Sequence, residues 1–153
     1  MGVDINRNFG VDFGQVEKTG IQTLAQYENM PPKVTDPCDY DYPGKEAFSE
    51  PETKAFRDFL IKNKDDLSFI INMHSYGNYF IYPFNGRDEN DIEERRPGIL
   101  NIFNQISKEA PFPEGTVKGN AKAVIGNTIG GDQDDWTLAE LGIPSVTAEI
   151  GRE

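Results

Sequence analysis

A nearly continuous apolar run at residues 67–74 constrains the fold more than any other feature of the sequence. The run has the length of a strand, contains Phe, Leu and Ile side chains, and ends at His74, the only histidine in the chain. Such a run is typical of a strand that is buried on both faces, as in a parallel sheet. We therefore expect a sheet with other elements covering both faces of this strand.

A helix is predicted to begin just before the apolar run, at Ser49. Ser49 and Glu52 have the spacing of a capping box. Pro51 falls in the first turn, where its missing N–H removes no hydrogen bond from the helix. Apolar residues then recur at helical spacing, so we expect an amphipathic helix with one face on a core.

Strands and helices alternate along the chain, which indicates an α/β domain. Residues 7–48 and 111–120 are predicted to be loops, because turn-forming residues are frequent and no regular apolar pattern occurs there. The other predicted elements are a strand end at 2–5, strands at 79–83 and 145–150, and helices near 99–106 and 134–141.

The charge balance excludes several classes of partner. The chain has 153 residues, enough for one domain, with 15 basic and 26 acidic side chains and a formal net charge of −11. A surface of this sign repels nucleic-acid phosphates and offers no basic cluster to a membrane surface. No stretch of 18 apolar residues occurs, so we expect no membrane-spanning helix.

Polar side chains at the ends of predicted strands are the first candidates for a functional site. His74 ends one strand, Glu149 lies near the end of another, and Asn6 and Arg7 follow a third segment. Because sites in open α/β sheets gather beyond the carboxyl ends of strands, these groups are candidates to converge on one crevice. Each also has an ordinary explanation as a structural or solvated side chain, and the pattern alone does not decide between the two.

Five short motifs also occur in a fixed order from one end of the chain to the other. They are G-V-D-I-N-R-N-F at 2–9, D-P-C at 36–38 with Y-P-G at 42–44, A-F-S-E-P-E-T at 47–53, H-S-Y-G at 74–77 with Y-P at 82–83, and D-W at 135–136 with G-I at 142–143 and S-V-T-A-E at 145–149. Their order and spacing resemble those of zinc carboxypeptidases of the pancreatic A/B type. The resemblance implies a three-layer α/β sandwich with a mixed, mostly parallel sheet.

The resemblance also implies one Zn²⁺ held by two His and one Glu. His74 matches the downstream His ligand of the family, whereas the other two ligands belong to an upstream H-x-x-E motif that is not in this sequence. Residues 1–153 therefore resemble a single partial domain, without the upstream metal-ligand half and without the final helix of the family. We expect this chain alone to be inactive and to bind zinc weakly, because catalytic zinc needs three protein ligands.

Several other positions match residues with known roles in that family. Glu149 matches the general base, and Arg7 with Asn6 matches the clamp on the terminal carboxylate of the substrate. Asp4 matches a carboxylate that orients a zinc-binding His, and Tyr76 matches a residue that lines the substrate groove.

Two positions differ from the family pattern in ways that bear on substrate preference. Asn127 stands where the family has a mobile Tyr, which implies weaker binding of the substrate carboxylate. Asp134 matches the position that is apolar in A-type members and acidic in B-type members, and an acid there would pair with a C-terminal Lys or Arg side chain. The acidic run at 132–135 is equally consistent with a solvated surface.

The function implied is hydrolysis of C-terminal residues of peptides, with basic residues as the candidate preference. Peptide or protein C-termini are the expected partners. The alternatives are an inactive, peptide-binding homologue and a cytoplasmic-type relative that removes glutamate. The resemblance implies an extracellular protein, with the cytoplasm as the alternative, because the family counterpart of Cys38 forms a disulfide with an upstream Cys.

Overall fold

Four strands form one mixed sheet in the part of the chain that the computed structural model describes, residues 2–15, 34–87, 91–109 and 113–151. The strands lie side by side in the order β1-β4-β2-β3. β4 runs parallel to β1 and antiparallel to β2, and β2 runs parallel to β3. The predicted α/β class with a mixed, mostly parallel sheet is confirmed. The strands are β1 (Ile70–His74), β2 (Tyr79–Ile81), β3 (Val117–Gly119) and β4 (Ser145–Glu149).

Helices connect the strands and cover the sheet. Among the described residues they are α1 (Pro51–Asn63), α2 (Asp91–Arg95), α3 (Ile99–Glu109), α4 (Ala121–Ile125) and α5 (Gln133–Trp136), with a 3-10 turn at Ile5–Arg7 and a π-helical turn at Thr137–Leu141. None of the described helices combines the length and the apolar character needed to cross a bilayer.

Two apolar clusters pack on opposite faces of the sheet. Val146 of β4 belongs to the cluster that contains α3, in which the rings of Tyr82 and Phe103 stack 5.2 Å apart. Ile70 of β1 packs against the second cluster, built around Leu60 of α1 and an aromatic group. Since alternate residues of a strand point to opposite faces, the β1–β4 register puts these two clusters on different sides.

The expected burial of β1 on both faces is wrong. Ile71 is 52% exposed and Met73 is 59% exposed, whereas Val146 beside them on β4 is fully buried. β1 is an edge strand of the described sheet, and α3 packs over the side chains of β2 and β4. The apolar run therefore signals a strand correctly, but only one face of that strand is covered in the described structure.

The predicted capping box at Ser49 is also wrong. The N-cap of α1 is Glu50, which forms no side-chain cap. Its backbone N–H donates instead to Asn8 Oδ1 at 3.3 Å, and the Ser49 hydroxyl accepts from Asn8 Nδ2 at 2.9 Å. The capping box would need the Ser49 hydroxyl to accept a hydrogen bond from the helix, but this hydroxyl accepts from Asn8, about 40 residues earlier in the sequence.

Short elements account for the other differences. Residues 2–5 lead into a 3-10 turn rather than ending a strand, and β2 stops at Ile81. The segment predicted as loop 111–120 contains β3, which three residues of parallel pairing with β2 stabilise. Part of the long loop predicted at 7–48, residues 16–33, lies outside the described residues.

Candidate active site

His74 and Glu149 end two neighbouring parallel strands and stand opposite each other. Their Cα atoms are partners in the β1–β4 register, and His74 Nδ1 lies 3.5 Å from Glu149 Oε1. Both side chains are partly exposed, at 30% and 19%. Because parallel strands carry their carboxyl ends to the same sheet edge, two distant residues meet there without any special loop.

The 3-10 turn brings a cation and a carboxylate to the same edge. Asp4 caps the turn by accepting a hydrogen bond from the Asn6 amide at 2.9 Å. The Arg7 guanidinium donates to the Asn6 carbonyl at 2.9 Å and to Asp41 Oδ1 at 3.3 Å. Its buried Nε has no hydrogen-bond partner among the described residues. The fork is therefore held in place by two hydrogen bonds, while its Nε has no partner among the described residues.

Backbone contacts fix this turn against the segment before α5. Phe9 donates its N–H to the Gly131 carbonyl at 2.8 Å, and Gln133 donates its N–H to Asn6 Oδ1 at 3.2 Å. Gly131 has φ +75°, and a Cβ at this position would overlap the Arg7 carbonyl. Glycine thus permits the close approach that places Arg7 beside the acidic segment.

Asn8, immediately after Arg7, anchors the turn to the rest of the fold. It is fully buried, and its Nδ2 donates to the Pro43 and Glu46 carbonyls at 2.7 and 3.1 Å. Its Oδ1 accepts from the Thr53 hydroxyl at 2.6 Å. The sequence motif contains Asn8, but its structural role becomes visible only when these distant partners are known.

A cavity of about 400 Å³ unites most of the predicted site residues. Six of the eight line it: Asp4, Asn6, Arg7, His74, Tyr76 and Glu149. The walls also include the apolar side chains of Ile81, Ala121, Ile125 and Ile129, and one further carboxylate, Asp132. Tyr76 is 57% exposed at the rim. The predicted convergence of an imidazole, a carboxylate and a guanidinium is therefore present.

Asn127 and Asp134 are the two predicted residues that do not line this cavity. Asn127 is half-buried on the segment between the lining residues Ile125 and Ile129. Asp134 is 1% exposed, and its two oxygens accept hydrogen bonds from Ser145 at 2.5 Å and Thr147 at 2.6 Å. It therefore packs under β4 rather than forming the floor of this cavity.

Burial changes the ionisation of Asp134 and its neighbour Asp135. Burial, followed by the negative charge of Asp132, raises the pKa of Asp134 to about 7. The same two causes raise the pKa of Asp135 well above its ordinary value, although the Asn85 and Gly86 amides donate hydrogen bonds to its carboxylate. The oxygens of both acids accept hydrogen bonds from within the fold.

Asp132 differs from its neighbours, and sequence reasoning missed it. It is 3% exposed, and its Oδ1 caps α5 by accepting from the Asp135 amide at 2.9 Å. Its Oδ2 is buried and forms no hydrogen bond with any described residue. Burial raises its pKa, an effect that the backbone amide, the Asn85 side chain and the Arg7 charge partly oppose. The acidic run at 132–135 indicated this segment, but the sequence did not show which of its acids lines the cavity.

The described residues do not form a complete zinc site. His74 is the only histidine of the sequence, and no group of three His, Cys, Asp or Glu side chains in the described ranges could hold a metal ion. The Nδ1 of His74 lies 3.5 Å from Glu149 Oε1. An imidazole alone does not meet the three-ligand requirement of catalytic zinc.

The fold and cavity define a mixed α/β protein whose candidate site lies at the carboxyl ends of two parallel strands. Within that class, residues 1–153 match the family model described as zinc carboxypeptidase. The chain therefore belongs to the zinc carboxypeptidase family, as the motifs indicate.

Curated relatives and solved structures agree with this assignment. The chain is similar to carboxypeptidase B of Helicoverpa zea, with 31% identity over 97% of this chain and 32% of the relative. It is also similar to a zinc carboxypeptidase of Simulium vittatum, with 42% identity over 71% of this chain and 35% of the relative. The chain thus spans about a third of the length of these relatives.

Two solved structures share the fold. Bovine thrombin-activatable fibrinolysis inhibitor, solved in complex with tick carboxypeptidase inhibitor, aligns with a TM-score of 0.64 and 24% identity over 99% of this chain and 46% of the other. Carboxypeptidase A from Helicoverpa armigera aligns with a TM-score of 0.61 and 20% identity over 100% of this chain and 34% of the other. At these identities the likeness concerns the fold alone.

Proposed function

We propose that this chain supplies the proton-transfer and carboxylate-binding part of a metallocarboxypeptidase site that removes C-terminal residues from peptides. The observation that carries the proposal is the meeting of His74, Glu149 and Arg7 around one cavity. Two further ligands would come from outside this chain, which spans about a third of its curated relatives. The family cofactor, Zn²⁺, would polarise the scissile carbonyl there.

Glu149 is the proposed general base. A carboxylate in this position can accept a proton from the attacking water and pass it to the leaving amine, because the same group alternates between acceptor and donor. Its partial exposure, at 19%, leaves it open to the cavity, and β4 fixes its backbone between β1 and β2.

Arg7 and Asn6 are the proposed clamp for the substrate carboxylate. A guanidinium fork holds a carboxylate through two parallel hydrogen bonds, which is how an exopeptidase distinguishes a chain end from an internal peptide. Asp41 orients the fork by accepting a hydrogen bond from Arg7 Nη2, and Arg7 lines the cavity. The side-chain carbonyl of Asn6 accepts from Gln133, which leaves its NH₂ group as the donor for a ligand.

Asp4, Tyr76 and Asn127 have proposed supporting roles. Asp4 and His74 both line a second cavity of about 460 Å³ between α1 and β1, where Asp4 would orient an incoming zinc-binding His. Tyr76 at the rim would contact the peptide. Asn127 would contribute a short, weak hydrogen bond to the terminal carboxylate in place of the longer family Tyr.

Basic C-terminal residues are the proposed substrates, on the strength of the acidic segment around Asp134. Because both Asp134 oxygens are already hydrogen-bonded, Asp134 would act on the substrate only indirectly, as part of the acidic segment 132–135. The same acidic cluster disfavours the alternative of a glutamate-removing relative, since like charges repel.

A peptide-binding homologue without catalysis is the second candidate function. The specific observation in its favour is that the sequence has one histidine and the described residues form no metal-binding cluster. Both candidates use the same clamp, so peptide binding alone does not separate them, whereas turnover does.

An extracellular location is also proposed, from the family resemblance and from Cys38. Cys38 is exposed and unpaired in the described structure, as expected for a residue whose partner lies elsewhere. Mass mapping of the secreted protein tests this, and a free Cys38 thiol there would count against it.

Turnover by the complete protein tests the main proposal. The substrate is benzoyl-Gly-Arg, with its C-terminal amide as the negative control. Glu149→Gln should reduce kcat by about 10²–10⁴-fold, the usual contribution of a general base. Glu140→Gln, at an exposed position, is the matched control and should leave kcat unchanged. Equal turnover by wild type and Glu149→Gln would refute the base assignment, and no turnover by wild type would favour the binding homologue.

A further inference from the structure

We propose that Tyr79 is a further substrate-binding residue of the cavity and that its hydroxyl donates a hydrogen bond to the C-terminal carboxylate of the peptide. This inference rests on the proposed function, because it takes the cavity to be where a peptide terminus binds. The motifs at 74–77 and 82–83 flank Tyr79 in the sequence and assign no role to it.

The first argument is the position of Tyr79 in the sheet. Because β2 runs antiparallel to β4, the first residue of β2 lies at the edge where β4 ends, and Tyr79 is the register partner of Glu149. His74 is the partner of Glu149 on the other side, from β1. Residues directly opposite each other on neighbouring strands point to the same face of a sheet. The side chains of His74, Glu149 and Tyr79 therefore form one row across three strands, with the proposed base in the middle.

The second argument is the packing of the Tyr79 ring. Residues 75–78 connect β1 to β2, and the Gly77 N–H donates to the Gly151 carbonyl, just after β4, at 3.3 Å. A Cβ at Gly77 would overlap the Tyr79 ring. The ring therefore packs directly against the backbone of a connection that is itself bonded to the end of β4, which restricts where its hydroxyl points.

The third argument comes from comparing the hydroxyl groups that line the cavity. Thr147 donates its hydroxyl to a buried acid at 2.6 Å. Ser75 is exposed, and Tyr40 and Tyr76 are 81% and 57% exposed. Tyr79 is half-buried and lines the cavity, and its hydroxyl forms no hydrogen bond with any described residue. Within the described ranges, Tyr79 is thus the lining residue that combines an inner position with an uncommitted hydroxyl.

The fourth argument is the charge of the cavity. The lining includes three carboxylates, those of Asp4, Asp132 and Glu149, and Arg7 is the only Lys or Arg among the described lining residues. A ligand carboxylate in this cavity therefore meets like charges, which oppose its binding. It also has acceptor sites for more donors than one guanidinium fork supplies. A neutral hydroxyl adds a hydrogen bond to an ionised acceptor, which is among the stronger kinds, without a further charge.

A titration of the full chain with two small ligands, followed by ¹H–¹⁵N correlation spectra, tests this. The probes are benzoylglycine, which has a free carboxylate, and benzoylglycine amide, which differs from it only at this group. Wild type should bind benzoylglycine more tightly. Tyr79→Phe should reduce the ratio of the two dissociation constants about tenfold, the loss expected for one hydrogen bond to a charged group. Because glycine has no side chain, a preference for basic residues does not enter the comparison.

Two further variants serve as controls. Tyr82→Phe is the matched control, because it removes the same atom from a ring that stacks on Phe103 in the cluster on the opposite face of the sheet. It should leave the ratio unchanged. Arg7→Lys is the positive control and should reduce the ratio. Tyr79→Phe keeps the ring and its packing, and the correlation spectrum of each variant shows whether the fold is retained.

The results separate this inference from the proposed function. A ratio that is unchanged in Tyr79→Phe and reduced in Arg7→Lys overturns the role of Tyr79 and leaves the clamp standing. An equal loss of affinity for both probes also overturns it, because the hydrogen bond would then go to a group that the probes share. Failure of wild type to bind benzoylglycine more tightly than its amide refutes the clamp and, with it, the carboxylate contact of Tyr79.

Discussion

The imidazole of His74 and the carboxylate of Glu149 face each other across adjacent parallel strands, with Nδ1 and Oε1 3.5 Å apart. The pair is separated by 75 residues in sequence, yet the β1–β4 register alone makes the two residues neighbours. The consequence is a site whose backbone geometry depends on the sheet rather than on a loop, which favours accurate positioning of a base.

Asn8 should be one of the residues on which stability depends most. Asn8→Ala would remove the amide that donates to the Pro43 and Glu46 carbonyls and the oxygen that accepts from the Thr53 hydroxyl. We expect a loss of about 2–4 kcal/mol in the free energy of unfolding, measured by urea denaturation. Asn63→Ala, at the end of α1 and with one exposed hydrogen bond, should change it by less than about 0.5 kcal/mol. Similar losses in both variants would contradict the anchoring role.

Asp134 should make the protein less stable as the pH rises from about 4 to about 7. In the folded protein burial holds the pKa of this carboxyl at about 7, whereas the ordinary pKa of an Asp side chain is 3.8. Between these values the folded form binds the proton and the unfolded form releases it, so a higher pH favours unfolding. The slope contributed is at most about 1.4 kcal/mol per pH unit.

Urea denaturation at several pH values measures this effect, with Asp134→Asn as the comparison. The variant cannot titrate at this position and should show a shallower fall in stability over the same window, with Ser145 and Thr147 still in hydrogen-bonding reach. A variant with the same slope as wild type would show that another group causes the dependence.

Arg7 should discriminate a free carboxylate from an amide. Arg7→Lys keeps the charge but loses the planar fork, so we expect the ratio of dissociation constants for Nα-acetylarginine amide and Nα-acetylarginine to fall by about tenfold. Arg57→Lys, at an exposed ion pair with Asp58, is the control and should leave the ratio unchanged. Calorimetric titration gives both constants, and an unaltered ratio in Arg7→Lys would remove Arg7 from the clamp.

Zinc should not bind tightly to this chain by itself. The described residues offer His74 without two further ligands around a common point, and three protein ligands are needed for catalytic zinc. Calorimetry with Zn²⁺ should show no 1:1 binding stronger than about micromolar, and His74→Ala should behave like wild type. Tight stoichiometric binding that His74→Ala abolishes would reveal ligands that the described structure does not bring together.

The local sequence predicted the parts of the site that depend on strand ends. The run ending at His74 and the segment ending at Glu149 both form strands, and the motifs pointed to Arg7 and Asp4 at the same edge. Short-range patterns sufficed here, because parallel pairing brings strand ends together whatever the loops do.

Contacts between distant segments decided the rest. Ser49 has the sequence of a helix cap, but Asn8 recruits its hydroxyl, and Ile71 remains exposed because β1 lies at the edge of the described sheet. The sequence alone does not distinguish the surroundings of Asp132 from those of Asp134, because both belong to the same acidic run. The packing of β4 gives Asp134 the hydroxyl groups of Ser145 and Thr147 as partners, whereas Asp132 lines the cavity and its buried Oδ2 has no partner among the described residues. Hydrogen-bond partners in a fold depend on three-dimensional proximity, which the sequence does not show.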